Sequence, residues 1–158
     1  MEFDDEIRGI LSKISSTKDP IPTFDFAWDQ GRKLFAEGRY FEVHEVFEFQ
    51  WKKETGSRRI LLHGWIQLAI SLNKIYVKHN ARGARMQAEK SKEKFEKLLL
   101  EGNLNSTGVH YTNHVLDFIN RILQHFQGDE NWDYSSLIKI PIPQIPQTGV
   151  EWFIREGM

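Results

Sequence analysis

A chain of 158 residues has room for one ordinary domain with a buried core. Its 40% hydrophobic, 13% aromatic and 27% charged residues exclude both a disordered chain and a membrane-embedded one. Lys and Arg number 21 against 22 Asp and Glu, so a net charge of -1 supplies no field to draw nucleic acid or an acidic membrane, and neither partner is expected. The absence of cysteine excludes disulfides, thiolate nucleophiles and Cys-type zinc or iron–sulfur sites, which leaves carboxylates, histidines and hydroxyls to carry any chemistry. An acidic start (Glu2, Asp4, Asp5, Glu6) is unlike a signal peptide, and no apolar run nears the ~20 residues of a membrane span, so a cytoplasmic protein is expected.

Phe3, Ile7, Ile10, Leu11 and Ile14 recur at helical spacing behind acidic residues that complement the helix dipole, which predicts a first helix over about 2–15. Two prolines and a run of turn formers make 15–23 a linker. Phe24, Ala27, Trp28, Gly31, Leu34 and Phe35 then predict a second helix over 24–37, with Gly38 as its C-terminal cap. The segment 40–53 lacks proline and glycine and reads as a third helix, stopped at Glu54-Thr55-Gly56.

The stretch 60–77 is apolar almost all round. His63, Gln67, Ser71, Lys74 and Lys78 fall within about 80° of one another and make a narrow polar stripe on a mostly buried fourth helix. Residues 80–83 read as the turn after it. Ala84, Ala88, Phe95, Leu98 and Leu99 mark a fifth helix ended by Gly102 and Asn103, and Tyr111, Val115, Phe118, Ile119, Ile122 and Phe126 mark a sixth that stops at Gly128. From 140 to 146 isoleucines alternate with prolines, a pattern that blocks helix and favours extended chain. Ile142, Ile145, Trp152 and Phe153 are expected to cover apolar surface there. The expected fold is all-α: a single helical bundle of five to six helices over 1–158, with an extended proline-rich tail from about 135.

The third helix holds the candidate site. Tyr40, His44, Glu48 and Trp51 project within about 80° of one another, while Val43, Val46 and Phe49 make the other sides apolar. An ionisable pair enclosed in this way needs hydrogen bonds, charge or metal. Imidazole and carboxylate one turn apart can reach a single divalent cation, so His44 and Glu48 are candidate ligands, with Tyr40 and Trp51 lining their pocket. Further donors would be Glu45, about 60° away on the wheel, and His63 or Gln67 from the fourth helix. His44-Glu45-Val46-Phe47-Glu48 is not the zinc-protease signature, since glutamate stands where that motif has its second histidine. A core pair that hydrogen-bonds within the bundle is the alternative. His110, His114 and Asp117 also have ligand spacing, but they continue into Arg121, Gln124 and His125 opposite the apolar face and read as a solvated side.

Three further features go together: Phe35-x-x-Gly38-x-Tyr40-Phe41-Glu42-x-His44-Glu45-x-x-Glu48-x-x-Trp51, then Gly64-x-x-Gln67-Leu68-Ala69, then His79-Asn80-x-x-Gly83-Ala84. With them, the run from about 24 to 100 resembles a family of small bacterial and archaeal proteins catalogued as domain of unknown function 309. The resemblance implies an all-helical fold, and it marks His44, Glu48 and Trp51 as a histidine–glutamate–aromatic motif suspected of binding a metal. It implies no substrate or reaction.

Two readings of function stand. In one, a divalent metal ion of unspecified identity is the cofactor of a helical protein and activates water for hydrolysis. In the other, helix pairs about 37 residues apart resemble a helical-repeat scaffold, and the protein is a non-catalytic interaction module with His44 and Glu48 as a structural pair. The aromatic inventory leaves homo-oligomerisation open, and the small-molecule or protein partner is unidentified.

Overall fold

The computed structural model describes residues 4–147 and 152–153. Its helices are α1 (Asp5–Ser15), α2 (Ile21–Ala36), α3 (Tyr40–Trp51), α4 (Gly56–Tyr76), α5 (Ala81–Glu101), α6 (Ser106–Leu123) and the single turn α7 (Tyr134–Leu137). No strand occurs among the described residues, only isolated bridges, so the fold is all-α as expected. No helix among them is long and apolar enough to cross a membrane.

The helix ends show how local chemistry sets the boundaries. Asp4 caps α1 by accepting the Ile7 amide at 2.9 Å, and the part of the predicted first helix before Asp4 lies outside the described residues. Helix α2 begins at Ile21, inside the expected linker, because Pro22 falls in the first turn, where its missing N–H removes no intrahelical bond. It ends as predicted at Gly38. That residue takes φ +76° and lets the Arg39 and Gly38 amides return to the Leu34 and Phe35 carbonyls at 2.9 and 3.0 Å. Helix α5 begins at Ala81, so the expected turn at 80–83 is its first turn, with the Asn80 side chain accepting the Gly83 amide at 2.9 Å.

Helix α4 packs against both α3 and α5 and carries the core, with Leu61, Leu62, Trp65, Leu68, Ala69, Leu72 and Ile75 fully buried. Its polar stripe turns toward α5. The Ser71 hydroxyl donates to the Ala84 carbonyl at 2.7 Å, and that of Ser91 donates to the Gly64 carbonyl at 2.8 Å; these two buried bonds fix the antiparallel register of the pair. On the other side Gly31 lets the ring of Phe47 sit where a Cβ would stand, 2.2 Å away at its nearest atom, and so brings α2 against α3.

The tail expected from about 135 instead begins with α7 and a turn over 138–140, after which the proline-rich run 141–146 forms no regular secondary structure. The Trp28 indole N–H donates to the Pro146 carbonyl at 2.7 Å. Trp152 is fully buried, stacked on Tyr111 at 5.7 Å and edge-on to Trp28 at 6.2 Å, and its carbonyl accepts the Asn105 amide at 2.9 Å. Ile145 and Phe153 are buried too. The remainder of the predicted tail, 148–151 and 154–158, lies outside the described residues.

Candidate metal centre

Helix α3 is buried through Val43, Val46, Phe47 and Gln50, which leaves His44, Glu45 and Glu48 on its partly open side. The His44 Nε2 atom is 2.8 Å from a Glu48 oxygen, and Nδ1 is 3.2 Å from a Glu45 oxygen. Both ring nitrogens of His44 thus lie beside carboxylate oxygens, the donor types that a divalent cation takes. One ligand atom from each of the three residues falls within 4.8 Å of the others, and no other such histidine–carboxylate group occurs among the described residues. Glu45 completes the group despite its direction on the wheel, because it reaches the ring nitrogen that Glu48 leaves free.

This group opens onto a cleft of about 280 Å³ whose walls come from α3 (His44, Glu48, Trp51), α4 (His63, Ile66, Gln67, Ile70) and α5 (Gln87, Lys90). His63 stands outside the 4.8 Å group but lines the same cleft, its ring centroid 5.1 Å from that of Trp51. Burial first, then the positive charges of Lys94, Arg59 and Lys90, hold its pKa below the ordinary histidine value, so the neutral ring is favoured. Gln67 is only 7% exposed, and its Oε1 accepts no hydrogen bond. A buried acceptor left in this state is short of one partner. The Trp51 Nε1 donor is likewise buried and unpartnered, with the Arg59 guanidinium 3.9 Å over its ring.

Tyr40 is placed elsewhere. Its side chain leans back toward the start of α3 and is buried against Phe35 at 5.3 Å and Tyr76 at 6.3 Å, so it supports the helix and does not line the cleft. His110, His114 and Asp117 are exposed along α6, and Asp117 pairs with Arg121 at 3.0 Å, as a solvated face does. Gln87 and Lys90 were missed by sequence reasoning, because α5 reads as a surface helix rich in Lys and Glu. The signal for them lies in their three-residue spacing beside the buried Ala84, Ala88 and Ser91.

A second polar assembly also escaped the sequence. Gln50 and Glu54 are both fully buried; Gln50 donates to Glu54 at 2.6 Å and accepts from Thr23 at 2.7 Å, while Arg58 donates to Glu54 at 3.0 Å. Both carboxylate oxygens are thus satisfied, and the assembly ties the start of α2 to the end of α3 and the start of α4.

Fold and site together define an all-α protein with a histidine–dicarboxylate group in a cleft between three helices. Residues 28–87, from α2 into α5, match the family described as Domain of unknown function (DUF309). Every cleft residue except Lys90 falls inside the match. No curated protein and no solved structure matches the chain.

Proposed function

We propose that this protein binds a divalent cation through His44, Glu45 and Glu48 and is a metal-dependent hydrolase whose substrate enters the adjoining cleft. The observation that carries the reading is the meeting of one imidazole nitrogen and two carboxylate oxygens within 4.8 Å at the cleft wall. Two carboxylates offset the charge of a divalent ion, and a nitrogen–oxygen donor set suits zinc, manganese, iron or nickel rather than a soft monovalent metal. Gln67 supports the same reading, since its unpaired Oε1 is a neutral oxygen donor on the opposite wall. When bound, the cation supplies Lewis acidity and lowers the pKa of water at its open positions. Among the cleft residues outside the proposed ligand set, His63, whose neutral ring is favoured, is able to take up a proton. The composition-based expectation of a cytoplasmic protein without a nucleic-acid partner is retained.

Thermal melts of untagged protein, in chelator and in each of the four metals, test the binding. Saturating metal should raise the melting temperature by several degrees, since a ligand at about 100 times its Kd adds ~2.7 kcal/mol. His44→Ala and Glu48→Gln should fold yet lose that response. If the parent is indifferent to metal and both variants are weakened by about 1–3 kcal/mol regardless of metal, the pair is structural and the interaction-module reading replaces this one. Metal-dependent turnover of p-nitrophenyl acetate or phosphate, absent in Glu48→Gln, tests hydrolysis; binding without turnover removes the catalytic half.

A further inference from the structure

One cation lines the cleft, and two more lie near enough to its His63 to act on that ring. Lys90 lines the cleft, Lys94 follows it one turn later on α5, and Arg59 lies one turn before His63 on α4. None of these three cations forms an ion pair with a described carboxylate. Arg59 donates to the Glu54 backbone carbonyl at 3.2 Å and stacks on Trp51, and that leaves its other N–H groups available. The Trp51 Nε1–H also has no acceptor. Ile66 and Ile70 supply apolar lining to the same cleft.

We infer that this part of the cleft is a phosphate subsite: Lys90, Lys94 and Arg59 hold the phosphate of a small phosphomonoester whose apolar part rests on Ile66 and Ile70. The inference deepens the cation-site reading and rests on it for its charge balance. A divalent ion offsets Glu45 and Glu48, so the three cations are left unmatched, and a phosphate dianion answers that excess better than a single carboxylate does. The positive field that disfavours protonation of His63 has the same three sources. Linkage makes the effect reciprocal: phosphomonoester should tighten metal binding by the factor by which metal tightens phosphomonoester.

Phenyl phosphate is the probe, titrated calorimetrically at constant ionic strength into the full chain, once in chelator and once with manganese, with benzoate as the comparator. Saturable binding of phenyl phosphate is expected in chelator, tighter with manganese and about tenfold or more tighter than benzoate. A Lys90→Gln/Lys94→Gln double variant removes two charges and no core side chain, so it should fold and keep the parent's metal response while losing most phenyl phosphate affinity. Absence of binding in both conditions overturns the inference, as does equal affinity for benzoate or undiminished affinity in the double variant. Failure of the cation site alone reads differently: phenyl phosphate would still bind in chelator and manganese would add nothing.

Discussion

His63 shows how a single side chain reports the electrostatics of the cleft. Burial and three nearby cations lower its pKa from the usual 6.5, so below that pH the unfolded chain binds a proton that the native chain refuses. Where the unfolded state holds more protons, stability falls as pH falls, and the loss continues until the native pKa is passed. Melts of the parent and of His63→Gln from pH 8 to 5 should therefore diverge, the parent losing more stability below about 6.5; parallel profiles would show that the ring titrates as in the open chain. Glu54 is a fully buried carboxylate held by hydrogen bonds from Gln50 and Arg58. Arg58→Ala should cost about 3 kcal/mol in a denaturant titration, since it strands a fully buried carboxylate; a loss within experimental error would mean that Gln50 alone suffices. At this scale His44 and Glu48 were legible because a four-residue spacing is a geometric fact about helices. Glu45 was legible only as an extra donor, since the wheel ignores rotamers, and Lys90 was illegible because its role depends on which helix lies beside it.

Each helix is decided as much by what its glycines omit as by what its apolar residues bury. Gly31 of α2 and Gly9 of α1 make a matched pair: a Cβ at Gly31 would lie 2.2 Å from the Phe47 ring, whereas at Gly9 it would meet nothing within 4 Å. Gly31→Ala should destabilise by about 1–3 kcal/mol through overpacking, after subtracting a helix-propensity gain of up to about 1 kcal/mol. Gly9→Ala receives the propensity gain alone and should stabilise. Equal effects at the two sites would show that α2 and α3 have slack. The helices themselves were readable from the sequence through their buried stripes, and the ends marked by a positive-φ glycine, such as Gly38, were readable too. The starts of α2, α4 and α5 were read three or four residues late. First turns project beyond the core, so their residues carry no apolar period; Pro22 fits there because the first turn needs no N–H from it, and Asn80 acts by accepting the Gly83 amide.

At the scale of the whole molecule, the Trp28 indole donates to the Pro146 carbonyl across 118 residues of chain. Together with Trp152 between Trp28 and Tyr111, it means that one wall of the core is supplied by chain far downstream of the helices it covers. Closing so long a loop is entropically expensive, so helix pairs made of neighbours, above all α4 with α5, are placed to form first and the tail to dock last. A contact formed after the transition state resists unfolding without hastening folding. Trp152→Ala, which removes about 3–5 kcal/mol of buried contact, should accordingly accelerate unfolding in stopped-flow measurements and leave the refolding rate nearly unchanged. An equal slowing of refolding would place the tail in the folding nucleus. In kinetic terms the proline-rich segment is a latch: it sets how long the closed protein stays closed, while the helices set how fast it closes.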